Sequence, residues 1–251
     1  MALFTDGAIS SLEDLQALDS AIVETARTEG VDLSRKLVVA EEALRLELAA
    51  FLLRAQSSPG TVTVNAYDLS RVVVTPELRR WHSLRTLQEV YGDVYNSHLN
   101  DRYAGKWQHF TSQVKETVEL IFEVGIGLVD LPVPRPAKPA VTAAGTGGAI
   151  GPYVVMTAWV GQRGDRGALS EGASIDAPNG ELLTVDAGAA PAGVTGFDVY
   201  VGFGGAAPVR QNAAPVSAGT QWQMPAGGAV IGPEPGSGQT ASYYIRRSRL
   251  R

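Results

Sequence analysis

The sequence predicts a chain of the multidomain α plus all-β class: an N-terminal domain of about four helices, then a C-terminal β-sandwich. Three observations predict it. Composition breaks near residue 136, from charged and helix-forming to rich in Gly, Pro, Ala and Val. The segment Leu131-Pro-Val-Pro-Arg-Pro-Ala-Lys-Pro139 sets prolines at 132, 134, 136 and 139, a spacing that forbids helix and favours extended chain. Apolar residues recur at helical spacing before this segment and in short alternating runs after it. A chain of 251 residues is long enough for two domains with separate cores. The expected divisions are a helical domain over 1–131, a Pro/Gly-rich linker over 132–151, a sandwich over 152–245 and a basic tail over 246–251.

The first helix is expected from Ser10-Ser11-Leu-Glu13-Asp14, where a hydroxyl caps orphan N–H groups and acids occupy the first turn. Leu12, Leu15, Leu18 and Ile22 follow at helical spacing, and Gly30 ends the run. Asp32 or Ser34 opens a second helix with the stripe Leu37, Ala40, Leu44, Leu48, Phe51 and Leu52, stopped by Ser57-Ser-Pro-Gly60. Thr61–Val64 alternates like a short strand. Thr75-Pro76-Glu77 is a strong helix start, followed by Leu78, Trp81, Leu84, Leu87 and Tyr91. A further helix is expected from about Asn100 to Glu123, ended by Gly125 and Gly127.

Beyond a flexible Ala143–Gly148 stretch, Pro152–Val160 is β-branched and aromatic, hence a strand. More strands are expected near Ala168–Ile175, Glu181–Val185, Gly196–Gly202, Ala207–Asn212, Thr220–Met224 and Ala241–Arg246. About seven short strands with Gly, Pro or Asn between them are the pattern of an immunoglobulin-like or fibronectin-like sandwich. Arg163-Gly164-Asp165 reads as a hairpin tip.

The residues offer little chemistry. No cysteine is present, which removes disulfides, thiolate metal sites and thiol catalysis. His82, His98 and His109 are too few and too far apart on helices to share a metal; positions 11 residues apart stand about 16 Å apart by helical rise. The carboxylate pairs Glu13/Asp14 and Glu41/Glu42 fall at capping or solvated positions, and no nucleophile elbow, P-loop or dinucleotide fingerprint occurs. No enzyme, cofactor or metal is therefore expected. No apolar run reaches about 18 residues, so no membrane span is expected, and the N-terminus lacks the features of a signal peptide. Synthesis and folding are expected in a cytoplasm. Residues 1–136 hold 13 Lys/Arg against 19 Asp/Glu, which argues against a sequence-reading nucleic-acid binder.

What remains is surface. The stretch Asn100-Asp-Arg-Tyr-Ala-Gly-Lys-Trp107 is dense in the residues that anchor subunit interfaces. The same stretch also reads as a capped helix start with Tyr103 and Trp107 in the core. The terminus carries Arg246, Arg247, Arg249 and Arg251, which suits either a solvated tail or an arm docking on an acidic partner or on phosphates.

The run from Thr75 through Trp107, with Phe122-Glu-Val-Gly-Ile-Gly-Leu128, resembles the helical core of tailed-bacteriophage head-to-tail adaptor proteins. Tyr153–Val160, Pro191–Gly202 and Gly232–Gln239 before Tyr243-Tyr244 are similar to fibronectin-like modules appended to phage structural proteins. The first resemblance covers most of Leu3–Val129, the second Pro139–Tyr244 more loosely. It implies a ring, commonly a dodecamer, in the virion neck below the portal protein, made in the host cytoplasm. Such a ring joins the capsid to tail, nozzle or spike proteins and lets packaged double-stranded DNA pass without sequence-specific binding. A ring needs two complementary faces per subunit. Trp81, Arg85, Tyr91, Asp101, Arg102, Tyr103, Lys106 and Trp107 are the expected first face, and Glu41, Glu42 and Glu47 the acidic second. Arg246, Arg247, Arg249 and Arg251 are the expected portal-docking residues. Other readings are a module that binds a tail spike, fibre or glycan through the sandwich, and a cell-wall hydrolase.

Overall fold

The computed structural model describes residues 1–56, 68–98 and 101–247. Ser57–Gly60, Thr61–Val64, Asn100, Arg249 and Arg251, each given a role above, lie outside the described residues. The chain forms two units. One joins Gly7–Leu128 to Ala241–Arg251 and is helical; the other joins Met1–Asp6 to Val129–Thr240 and is built of β-strands. The class is α plus β, but each unit takes in a piece of sequence expected in the other.

The helical unit has five α-helices among the described residues, not four: α1 (Leu12–Leu18), α2 (Ile22–Glu29), α3 (Leu33–Gln56), α4 (Pro76–His98) and α5 (Ala104–Val124). Ser11 and Asp14 form a capping box at the start of α1. The expected first helix is broken because Asp19 leaves helical geometry at the end of α1. Its carboxylate accepts from the Ala21 N–H and from two distant side chains described below. Gly30, left-handed at φ 68°, ends α2 as expected. Asp32 caps α3 by accepting from the N–H groups of Ser34 and Arg35. Thr75 caps α4, accepting from the Leu78 N–H at 3.3 Å, with Pro76 at the first helical position. Ala40, Leu44, Leu48 and Leu52 of α3 and Trp81, Leu84, Leu87 and Tyr91 of α4 are buried.

Two short strands complete this unit. β1 (Ile126–Leu128) pairs antiparallel with β10 (Tyr243–Ile245), with Ile126 opposite Ile245 and Leu128 opposite Tyr243. This corrects the expectation that 241–246 belongs to the sandwich. Gly125 ends α5 as expected, whereas Gly127 lies within β1; both admit the returning chain. A Cβ on Gly125 would stand 2.9 Å from the Ile245 oxygen, and one on Gly127 2.8 Å from the Ala241 Cβ. The basic tail starts on α5. Arg246 Nε donates to the Val124 oxygen, the Arg247 N–H donates to the Phe122 oxygen, and the Arg247 guanidinium lies 4.8 Å above the Phe122 ring. Arginines here satisfy carbonyls that a helix C-terminus leaves open and complement its dipole. Deleting residues 241–251 removes all of these contacts. The deletion is expected to lower the unfolding midpoint of the helical unit while leaving that of the β unit in place, as read by two-phase denaturation. Charge is redistributed too. With its tail the helical unit holds 16 Lys/Arg and 17 Asp/Glu, so the acidic excess of residues 1–136 is nearly cancelled.

The β unit has two antiparallel sheets. One is ordered β2 (Ala140–Ala144), β5 (Leu182–Asp186), β9 (Trp222–Gln223). The other is ordered β4 (Ala173–Ala177), β3 (Gly151–Gly161), β6 (Val194–Phe203), β7 (Val209–Arg210), with β8 (Val216–Ser217) also on β6. Both sheets feed one core, in which Tyr153, Val155 and Trp159 of β3 and Phe197 and Val199 of β6 cluster with Leu183, Val185 and Trp222 of the first sheet. The expected linker 132–151 is corrected in part, because β2 lies within it and pairs with β5 over five residues. Val133 is buried and donates its N–H to the side chain of buried Gln239, while the Arg135 N–H donates to Asp6. The prolines enforce extended chain, but that chain is packed.

Candidate assembly surface of the helical unit

Three of the eleven expected interface residues, Trp81, Tyr91 and Tyr103, build the interior of their own unit. Trp81 and Tyr91 are fully buried, and Tyr103 nearly so. Tyr91 stacks on Phe110 with centroids 5.6 Å apart and planes 12° apart. Its hydroxyl donates to Asp19 Oδ2 at 2.5 Å; Lys106 Nζ donates to the same oxygen at 2.7 Å and to the Tyr91 hydroxyl at 2.9 Å. Burial opposes the Asp19 charge, but the hydrogen bonds from Lys106 and Tyr91 outweigh it and hold the carboxyl below its ordinary range. Burial and the Asp19 charge push the Tyr91 hydroxyl up. Burial works against the Lys106 charge, yet the bond to Asp19 wins and raises its pKa. Tyr103 donates to Glu29 at 2.8 Å. Trp107, half-buried, stacks on Tyr95 and lies against Gly92, where a Cβ would meet its indole nitrogen at 3.2 Å. Arg85 pairs with Glu89 along α4, and Glu41 with Arg45 along α3. Glu47 is half-buried, while Asp101, Arg102 and Glu42 are exposed. The aromatic density read as an interface is thus largely a helix-packing seam. Exposure at the core separates the two readings, and spacing alone does not show it.

His82 serves structure as well. His82 is buried; its Nε2 faces the Leu37 oxygen at 3.0 Å and its Nδ1 the Ser10 hydroxyl at 2.6 Å. A carbonyl only accepts, so Nε2 carries the proton and Nδ1 accepts from Ser10. Burial holds the His82 pKa below its ordinary 6.5. A lowered folded value means that the unfolded chain binds the proton more tightly. The stabilising contribution is therefore present above about pH 6.5 and is lost as pH falls below it. The urea midpoint of the helical unit is expected to drop more between pH 7.5 and 5.5 in the native chain than in His82→Asn, which cannot protonate. His109 is exposed beside Gln113.

Two apolar surfaces exposed among the described residues were not foreseen. The outer side of α3 carries Val39, Leu46 and Leu53, seven residues apart, with Leu46 73% and Leu53 64% exposed. Val38 is exposed beside them, and Glu42 stands between Val39 and Leu46 on the same side. Their signal was in the sequence as a second heptad row, hidden because α3 has apolar residues on both sides. The second surface is a groove of about 170 Å³ between the start of α4, the end of α5 and the β1–β10 ribbon. Leu78, Leu120, Val124, Ile126 and Tyr244 line it with Glu77 and Arg80, and Leu120 is 60% exposed. Full burial of a Leu contributes roughly 1.5–3 kcal/mol, and association costs at least about 4 kcal/mol. A contact through one such row is therefore weak alone and gains from repetition or a template.

Among the described residues, no helix is long and apolar enough to cross a membrane, and no three acidic or histidine side chains are placed to hold a metal. No family model matches the chain, and no curated protein matches it.

Proposed function

We propose that the chain is a neck adaptor of a tailed bacteriophage, non-enzymatic, whose helical unit assembles as a ring below the portal protein in the virion. The observation that carries this reading is the exposed apolar row Val39–Leu46–Leu53 on α3, the longest of the described helices. The resemblance of Thr75–Trp107 to such adaptors supports it. So does the structural use of the perturbed groups Asp19, Tyr91, Lys106 and His82, each of which is satisfied by packing partners rather than turned to a cleft. In this reading the ring has about twelve copies, as in related adaptors, and double-stranded DNA passes its lumen without specific binding. The near-neutral charge of the unit makes passage a matter of which side chains line the lumen, not of net repulsion.

The β unit is read as an immunoglobulin- or fibronectin-like sandwich that contacts tail, nozzle or spike proteins. A second reading, in which this unit binds a fibre or glycan and carries the activity alone, draws on exposed Ile150 and Phe203, the latter beside Gly151 at the start of β3. The test uses the β1–β10 pairing. Leu128 and Tyr243 are opposite each other, so replacing residues 129–242 by Asn-Gly closes a two-residue hairpin and removes the Val129–Thr240 part of the β unit. Co-sedimentation with portal particles is expected for the full chain and for the excised chain. Binding by neither would contradict the adaptor reading, and binding by the full chain alone would move the activity to the β unit.

A further inference from the structure

We infer that the β unit of one copy fastens onto the helical unit of a second, with Ile231 of the first pairing, strand to strand, with Tyr244 on the outer edge of β10. The inference rests on the reading of the chain as a self-assembling adaptor and adds a contact to the α3 row. Tyr244 is the middle residue of β10 and is half exposed. The Gly127 oxygen accepts from the Val73 N–H, on the side of β1 away from β10, whereas the Leu128 oxygen accepts from the Ser242 N–H. Gly127 and Tyr244 stand opposite each other, so theirs is a pair that exchanges no hydrogen bonds. The N–H and C=O of Tyr244 therefore point away from β1, and among the described residues neither has a partner. Such an edge takes an extended strand. A helix such as α3 spends its backbone groups internally and has none to offer.

The groove that Tyr244 lines, about 170 Å³, has room for one apolar side chain. Glu77 and Arg80 both line it, so charge does not choose the occupant. Backbone and shape do, and Ile231 meets both. Its side chain is 101% exposed, the most of any large apolar residue described. On one side of it, Val230 is held by Gln211, whose side chain accepts from the Val230 N–H and donates to the Val230 oxygen. On the other side, the Pro233 oxygen accepts from the Arg210 N–H of β7. The N–H and C=O of Ile231 itself have no partner among the described residues. The pairing is antiparallel, since that arrangement asks for both groups of one residue on each strand. A parallel one would bond one residue to the two neighbours of the other, and Val230, Tyr243 and Ile245 are already engaged. Opposite residues share a face, which sets the Ile231 side chain beside Tyr244 at the groove. A contact between unlike faces propagates from copy to copy and closes into a ring when the rotation allows.

The chain has no cysteine, so introduced thiols report alone. Opposite residues of such a pair stand about 5.5 Å apart at Cα, within reach of a disulfide. Ile231→Cys and Tyr244→Cys are made separately in the full chain, mixed at high concentration and oxidised, with and without portal particles. A linked dimer is expected from the mixture, and a ladder of higher species from the double variant. Glu234→Cys, about 10 Å further along an extended chain, is expected to link to Tyr244→Cys about tenfold less. In a second measurement, without thiols, Ile231→Asp is expected to weaken self-association by sedimentation about tenfold. No 231–244 product under either condition, a link confined within one chain, equal linking by Glu234→Cys, or native association by Ile231→Asp would each overturn the inference. A ring on the portal without a 231–244 link removes this contact and leaves the adaptor reading standing. A 231–244 link without portal binding supports the contact and removes the reading.

Discussion

Replacing Asp198 by Ala is expected to destabilise the β unit by about 2–4 kcal/mol, among the largest effects of any single substitution there. Its side chain is only 1% exposed on β6, yet it is well partnered. Arg166 Nε donates to Oδ2 at 2.5 Å, Asn212 Nδ2 donates to Oδ1 at 2.8 Å, and Arg210 Nη1 stands 3.6 Å away. Asn212 also accepts from the Val199 N–H, tying the cluster to the strand. The bond to Asp198 raises the Arg166 pKa. Alanine at 198 leaves two guanidinium groups, but both are partly exposed and regain water. Arg166→Ala leaves the anion in a dry site and is expected to cost at least as much. A double-mutant cycle separates pair from site. The two losses are expected to fall short of additivity by about 1.5–3 kcal/mol, and simple additivity would show that the partners act independently.

Trp81→Ala is expected to cost the helical unit about 3–5 kcal/mol, because it opens a cavity in a core that has no room to collapse. Trp81 is fully buried on α4 and meets Phe122 edge-on at 5.8 Å; Phe122 in turn packs on Phe51 at 4.6 Å. The residue therefore ties α3, α4 and α5 together. Among the described residues its indole N–H has no hydrogen-bond partner. That orphan donor carries a cost of its own, about 1–3 kcal/mol. Trp81→Phe removes it while keeping most of the ring, so a loss below about 1.5 kcal/mol is expected, against the much larger loss in Trp81→Ala. Urea denaturation followed by far-ultraviolet circular dichroism measures both.

Much of the fold was legible because local rules agreed with it. The caps at Ser11, Asp32 and Thr75 and the left-handed Gly30 were readable from residue type, since each solves a local hydrogen-bonding or backbone problem. Strands β3, β5 and β6 carry β-branched and aromatic runs and were expected. β2 was not: Ala140-Val-Thr-Ala-Ala144 has low strand propensity and half-exposed faces, and only its pairing with β5 makes it a strand. The break at Asp19 needed Tyr91 and Lys106, more than seventy residues away, and no local pattern encodes that. β1 and β10 were misassigned for the same reason. Three residues after a terminating glycine look like a connector until a strand from the far end of the chain pairs with them. At the candidate site, composition led to the aromatic seam and away from the α3 row. Tyr91 and Trp107 satisfy interface and core statistics alike, whereas Leu46 and Leu53 looked like ordinary members of an apolar helix.

The adaptor reading is tested most directly by negative-stain imaging of the full chain mixed with tailed-bacteriophage portal particles, beside each component alone. A ring of added density at one end of the portal is the predicted result, lost when Leu46 and Leu53 are both replaced by Asp. Bare portals beside folded single copies of the chain would contradict it.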